Sequence, residues 1–272
     1  MSSNQLIHLK NTSNTELLRL IEGDITFSVL YRILKGDCTD IFHNNESVIV
    51  CYSNSPYPIW VWCKDTSNKA DIASIAACIK ANYPLEDGYN IIMRHDVLEA
   101  LKRYDGYFEN VDFKMELLSY QLNELKQISY SCNGRAEKLT ADDIETVAYL
   151  VKDMSYEMEG FVFELDECRE KARKQIDLGQ LYAWKNSDGE IVALSAKKID
   201  GKFGSVSMVY TVPVHRRRGY AINLVYTITR EILAEGATPI LYTDGAYVAS
   251  NDCYKKIGFE QVGRICNIER KK

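Results

Sequence analysis

The segment Val209-Tyr-Thr-Val-Pro-Val-His-Arg-Arg-Arg-Gly-Tyr-Ala221 restricts what this chain can fold into more than any other stretch. Ser205–Val212 reads as a strand, Pro213 cannot extend it, and Gly219 opens a helix running to Glu235. That helix carries Ala221, Leu224, Val225, Ile228 and Ile232 on one face, and Gly236 stops it. A strand that turns directly into a helix leaves the first helical N–H groups without internal partners. The helix dipole adds partial positive charge at the same place, so the turn suits an anion. Gly219 lets the backbone approach a phosphate, and the small Ala221 lets the helix start pack closely. Arg216, Arg217 and Arg218 add charge suited to phosphate oxygens. The expected ligand is a pyrophosphate with a long tail that lies along the preceding strand.

The elements around this turn are legible. A first strand near Arg135–Leu139 precedes Thr140-Ala-Asp-Asp143, a capping-box-like helix start. Ile144, Val147, Ala148, Val151 and Met154 then form a helical stripe, and Glu164–Leu178 is a second, more charged helix. Strands follow at Leu181–Trp184, Ile191–Lys197 and Ser205–Val212, with turns at Asp188-Gly189 and Asp200-Gly201. After the Gly219 helix come a strand at Pro239–Thr243, a short helix at Ser250–Ile257 and a strand at Glu260–Cys266. The order is β-α-α-β-β-β-α-β-α-β.

Ser131–Gly134 divides this half from the one before it, and the expected domains are 1–128 and 129–272. In the first, Ser47–Tyr52 and Ile59–Cys63 read as a hairpin, and Tyr89–Met93 and Phe113–Leu122 as extended segments. Asp71–Asn82 and His95–Tyr104 read as helices. This domain is α/β in character and carries no phosphate-loop frame. A formal net charge of -5 argues against broad nucleic-acid binding. The eight cysteines and four histidines show no ligand spacing, so no metal site is expected. The first residues lack a signal-peptide core and no apolar run reaches membrane-spanning length, so the expectation is a cytoplasmic protein with reduced thiols and no membrane partner.

Arg216-x-x-Gly219-x-Ala221 resembles the Arg/Gln-x-x-Gly-x-Gly/Ala signature of the GNAT superfamily of N-acetyltransferases, and Tyr-Thr-Val-Pro before it resembles that family's fourth strand. Asn251, Tyr254, Gly258 and Phe259 resemble the family's Asn-x-x-x-Tyr-x-x-x-Gly-Phe block, here with Asn and Tyr three apart. The resemblance covers about Arg135–Cys266. It implies a mixed twisted sheet of GNAT type in the C-terminal half and acetyl-CoA as co-substrate. It further implies CoA contacts from Tyr210, Thr211, Val212, Arg217, Arg218, Gly219, Tyr220, Ala221, Ile222 and Asn251. A motif-poor first half joined to a motif-bearing second half is similar to tandem-domain GNAT proteins, whose smaller first domain is a degenerate copy.

The family reaction is direct attack of a primary amine on the thioester. It needs a deprotonated amine, an oxyanion donor and an acid for the leaving thiolate. The resemblance makes Tyr254 that acid and places the oxyanion donor among the backbone N–H groups of Tyr210–Val212. Ser205, Ser207 and Val209 leave the strand without the carboxylate some members carry there, so Asp244, just past the fifth strand, is the candidate to bind or deprotonate the amine. Glu157, Glu159 and Glu164 flank the bend between the first two helices, and two of them facing inward would imply a cationic acceptor. A small amine is the expected partner. The alternatives are a protein or peptide acceptor and an acyl-CoA sensor without turnover.

Overall fold

In a computed structural model of the chain, residues 6–36, 38–55, 57–159 and 163–271 are described. Strands are β1 (Ile7–Thr12), β2 (Cys38–His43), β3 (Val48–Tyr52), β4 (Ile59–Cys63), β5 (Ile91–Arg94) and β6 (Val111–Leu122) in the first half. The second half supplies β7 (Arg135–Lys138), β8 (Leu181–Lys185), β9 (Ile191–Asp200), β10 (Phe203–Thr211), β11 (Thr238–Asp244) and β12 (Phe259–Arg270). Helices are α1 (Val29–Ile33), α2 (Lys69–Asn82), α3 (His95–Tyr104), α4 (Ile144–Glu159), α5 (Leu165–Asp177), α6 (Tyr220–Ala234) and α7 (Val248–Ile257). Both halves run in one order: a strand, a helical segment, three strands, a helix, a strand, a helix and a last strand.

The chain forms two compact units that do not follow the boundary read from the sequence. Unit 1 contains Met1–Ser119, Tyr242–Val248 and Gln261–Lys272, and unit 2 contains Tyr120–Leu241 and Ala249–Glu260. Ser131–Gly134 marks irregular backbone, but composition does not say which body a segment packs on. Residues 120–128 belong to unit 2: the Lys126 N–H donates to Ile257 O at 2.9 Å, and Asn123 Nδ2 donates to Glu260 Oε2 at 2.7 Å. Gly258 explains why this segment lies so close, since a Cβ there would stand 1.9 Å from Glu124 O.

In unit 1, β3 and β4 are almost wholly buried, as an unbroken apolar run such as Ile59-Trp-Val-Trp-Cys63 requires. Alternation sends Val48, Val50, Ile59 and Val61 to one face, where α2 and α3 supply Ile72, Ile75, Ile79, Val97 and Leu101. Ile49, Cys51, Trp60 and Trp62 go to the other, against Leu17, Ile21, Phe27 and Leu30. Asn68 caps α2, its side chain accepting from the Ala70 N–H at 3.1 Å. The edge pair β1–β2 and the helical turns over 15–33 have no counterpart among the expected elements, because their short segments lack a sustained period. β12 pairs antiparallel with β5, Ile265 opposite Arg94 and Ile268 opposite Ile91.

In unit 2 the strand order is β7-β8-β9-β10-β11, antiparallel except where β10 meets β11. The Thr140–Asp143 capping box is formed and starts the helical run. α4 and α5 cover Leu181, Ala183, Leu194 and Ala196 with Val147, Ala148, Val151, Ala172 and Ile176. Residues of opposite parity meet α6: Tyr182 Oη donates to Glu231, and Lys197 Nζ bridges Glu231 and Glu235 at 2.8 and 2.7 Å. α6 is thereby held at its last turn, and its first turn follows the end of β10.

Candidate functional site

β10 carries a bulge. Its register with β9 shifts between Ser207 and Tyr210, and Met208 takes a left-handed φ of 54°. Past the bulge, Tyr210 pairs with Leu194 and Thr211 with Ala193, and the Val212 N–H donates to Val192 O at 3.0 Å. Alternation therefore turns the Thr211 N–H and carbonyl away from β9. The recorded parallel ladder to β11 ends at Ser205 opposite Ile240, well before this point. Of the three backbone groups considered for the oxyanion, Val212 is thus already committed to β9 and Tyr210 shares its direction. Thr211 is the one that faces the open side. The bulge itself has no signature in the sequence, because Met is not a residue that favours positive φ.

The turn into α6 is irregular and its helix start has no side-chain cap. Pro213–His215 is a short 3₁₀ turn, Arg217 has φ 62°, and Gly219 is the N-cap with φ 83° and no side-chain cap. Among the described residues, no acceptor faces the N–H groups of Arg217, Arg218, Gly219, Tyr220, Ala221 or Ile222; the first helical bond is Asn223 N–H to Gly219 O at 3.2 Å. Arg217 and Arg218 are exposed beside these donors.

Two side chains serve differently from their sequence reading. Arg216, taken with its neighbours as phosphate charge, is a brace: Nε donates to Thr211 O at 3.0 Å, Nη2 reaches Glu157, and the guanidinium lies over the Tyr210 ring. Tyr220 is buried and its hydroxyl donates to Asn133 Oδ1 at 2.7 Å, so only its backbone is offered to a ligand. Asn133 and its neighbours pack against this turn, a contact that sequence reasoning missed. Asn223 Nδ2 holds Tyr130 O at 3.1 Å and Cys132 Sγ at 3.3 Å while also bonding Gly219 O at 2.8 Å. Nothing local in the linker's composition signals that contact.

Asn251 and Tyr254 lie on the buried face of α7, each 5% exposed. The Tyr254 ring packs beside Tyr120 and Phe259, with centroids 6.4 and 6.2 Å away. Burial pushes its phenol well above the ordinary tyrosine value, with the neighbouring Cys253 thiol adding to the shift. A phenol held in this way stays protonated at every ordinary pH, as a proton donor must. Burial likewise holds the Cys253 thiol at about 12, which rules out a standing thiolate near neutrality. Asp244 belongs to unit 1 and shapes the turn after β11, its Oδ1 accepting from the Ala246 N–H at 2.9 Å. Of the three glutamates, Glu157 pairs with Arg216 and Glu164 caps α5 in a box with Glu167; the Glu159 side chain lies outside the described residues. Among the described residues no group of His, Cys, Asp or Glu is placed to hold a metal ion, and no helix is long and apolar enough to cross a membrane.

The chain aligns with an acetyltransferase of the GNAT family from Colwellia psychrerythraea over 98% of its own length and 100% of that chain, at 14% identity and TM-score 0.62. A GCN5-related N-acetyltransferase from Sphaerobacter thermophilus aligns over 97% and 95%, at 11% identity and TM-score 0.70. The chain has the fold of the GNAT superfamily. Within that fold, residues 175–267 match the model of the family described as FR47-like protein. A GCN5-related N-acetyltransferase-like protein from Streptococcus suis aligns over 94% and 97%, at 14% identity and TM-score 0.56. No curated protein matches the chain.

Proposed function

We propose that the chain is an N-acyltransferase that moves an acetyl group from acetyl-CoA to a primary amine by direct attack. The observation that carries this reading is the uncapped start of α6, whose N–H groups from Arg217 to Ile222 stand beside the bulged end of β10. The pyrophosphate would bind these donors, with Arg217 and Arg218 adding charge. The pantetheine arm would follow Tyr210–Val212 and meet Asn251. The amine nitrogen attacks the thioester carbon and its carbonyl oxygen becomes an oxyanion, for which the Thr211 N–H is the available strand donor. Collapse breaks the C–S bond, and Tyr254 gives its proton to the departing thiolate. The proton lost by the amine goes to water.

The first half lends support by contrast. Its strand-to-helix turn, β4 to α2, is filled from within: Asn68 caps the helix, and Asp65 takes both the N–H and the hydroxyl of Ser67. Both halves share one order of elements but only the second leaves its helix start open, as a first domain decayed from a second copy would show. Calorimetric titration should saturate at one CoA per chain. Release of CoA thiol, scored over a panel of small amines and N-terminal peptides, tests turnover. A stoichiometry of two would overturn the reading of the first half, and no CoA binding would overturn the whole assignment. The missing carboxylate at Ser205, Ser207 and Val209 favours one second reading, acyl-CoA sensing without turnover; CoA binding with no thiol release across the panel would establish it.

A further inference from the structure

The linker after β6 does more than connect. It leaves the end of α7 at Lys126, and by Asn133 it has reached the first turn of α6. Between these anchors it passes against the cradle: a Cβ placed on Gly219 would lie 3.6 Å from Tyr130 Cβ and 4.0 Å from Cys132 Cβ. The Tyr130 backbone is held by Asn223, yet its side chain remains 43% exposed. Lys256, exposed on the last turn of α7, places Nζ 5.3 Å from the centre of the Tyr130 ring. The nearby Tyr130 hydroxyl raises the pKa of this ammonium, with the Asp252 carboxylate also acting on it. An aromatic ring and a cation thus stand together beside the start of α6.

We propose that Tyr130 and Lys256 form the subsite for the nucleotide end of acyl-CoA, the ring stacking on adenine and the ammonium taking the 3′-phosphate. The inference rests on the CoA reading of the cradle. Its logic is charge and surface: CoA carries a second phosphate group outside the pyrophosphate, and the cradle's N–H groups can serve only one of them. A purine needs a flat apolar partner, which base–aromatic stacking supplies without regard to hydrogen-bond pattern. Asn223 holds the Tyr130 backbone independently of Lys256, and the ring in turn keeps the Lys256 ammonium close by.

Calorimetry of the full chain with CoA and with 3′-dephospho-CoA tests this. Lys256→Gln should weaken CoA about 5- to 20-fold and leave 3′-dephospho-CoA unchanged. Tyr130→Ala should weaken both ligands about 5- to 100-fold, and Tyr130→Phe should restore them. Lys256 is a surface side chain, so its variant keeps the fold and the test stands even if Tyr130→Ala loosens the linker. Wild-type affinities in both Lys256→Gln and Tyr130→Ala would overturn the subsite while leaving the cradle intact. Failure of the wild type to bind either nucleotide would overturn the cradle and the subsite together.

Discussion

Gly219 is the residue on which ligand approach and backbone geometry meet. Its φ of 83° is open to glycine and costs an L-residue roughly 1–2 kcal/mol, while the nearest atoms around a Cβ there are at ordinary contact distance. Gly219→Val should therefore fold, with a modestly lowered melting temperature. Its CoA affinity should fall by at least about tenfold, because several charge-assisted bonds worth about 1.5–3 kcal/mol each are disturbed. Unchanged affinity in the folded variant would show that the turn at Gly219 does not hold the CoA phosphates. Tyr254 makes the second residue-level prediction. Tyr254→Phe keeps the ring's packing against Tyr120 and Phe259, so acyl-CoA affinity should stay within a few-fold while turnover drops about 10²–10⁴. Because burial raises this phenol, the wild-type rate should show no alkaline limb from it below about pH 10, its ordinary range. The linked stability follows the same sign: it is fully present below the unfolded value of 10.0 and is lost as pH climbs through the folded one, a loss Tyr254→Phe should not show. Full turnover in Tyr254→Phe would make Tyr254 a core tyrosine.

Among the elements, α6 and its turn were the most legible, because a proline stop, a glycine start and a sustained apolar stripe are local signals. β1 and β2 were not, since β1 is a short edge strand defined by its neighbour and β2, paired with β1 and β3, is too short to show a period. The candidate site residues follow the same rule. The left-handed Gly219 at the start of α6 and the shared face of Asn251 and Tyr254 follow from local spacing, whereas the bulge at Met208 and the packing of Tyr130–Asn133 against α6 arise from tertiary contacts. Arg216 shows the limit well: its side chain looks identical to those of Arg217 and Arg218 in sequence, and only the fold turns it back onto Thr211 and Glu157. That brace should be measurable. A double-mutant cycle on Arg216→Ala and Glu157→Ala should give a coupling of only about 0.5–1 kcal/mol in stability, since both side chains are more than a third exposed. The coupling in CoA affinity should be larger, because losing the brace lets the cradle shift. Additive effects on affinity would show that the pair is merely a surface contact.

At the scale of the molecule, the domain boundary expected at 128/129 gives way to two units that share the chain in alternation. Residues 242–248 and 261–272 complete unit 1, although every motif near them belongs to unit 2. Ile265, Cys266 and Ile268 are fully buried there, and β12 supplies the ladder to β5. Burying such side chains is worth about 1.5–3 kcal/mol each, so removing 261–272 would forfeit roughly half or more of a typical domain's stability. The truncated chain should lose protected amides in β5 and melt early, as hydrogen exchange and thermal denaturation would show. A truncated chain with wild-type protection in β5 would contradict the pairing. For the same reason, residues 129–272 expressed alone should not give a soluble, cooperative domain.

The pairing of β12 with β5 also sets a timetable. Ile265 finds Arg94 across about 170 residues of intervening sequence. On the ribosome, β5 therefore emerges long before its partner exists, and its open edge must wait through the synthesis of α3, β6 and nearly all of unit 2. An unpaired strand edge beside an apolar core is a template for pairing with another nascent chain. Holdase chaperones should accordingly bind the arrested nascent chain until β12 is made, and refolding from denaturant should be slow and concentration-sensitive.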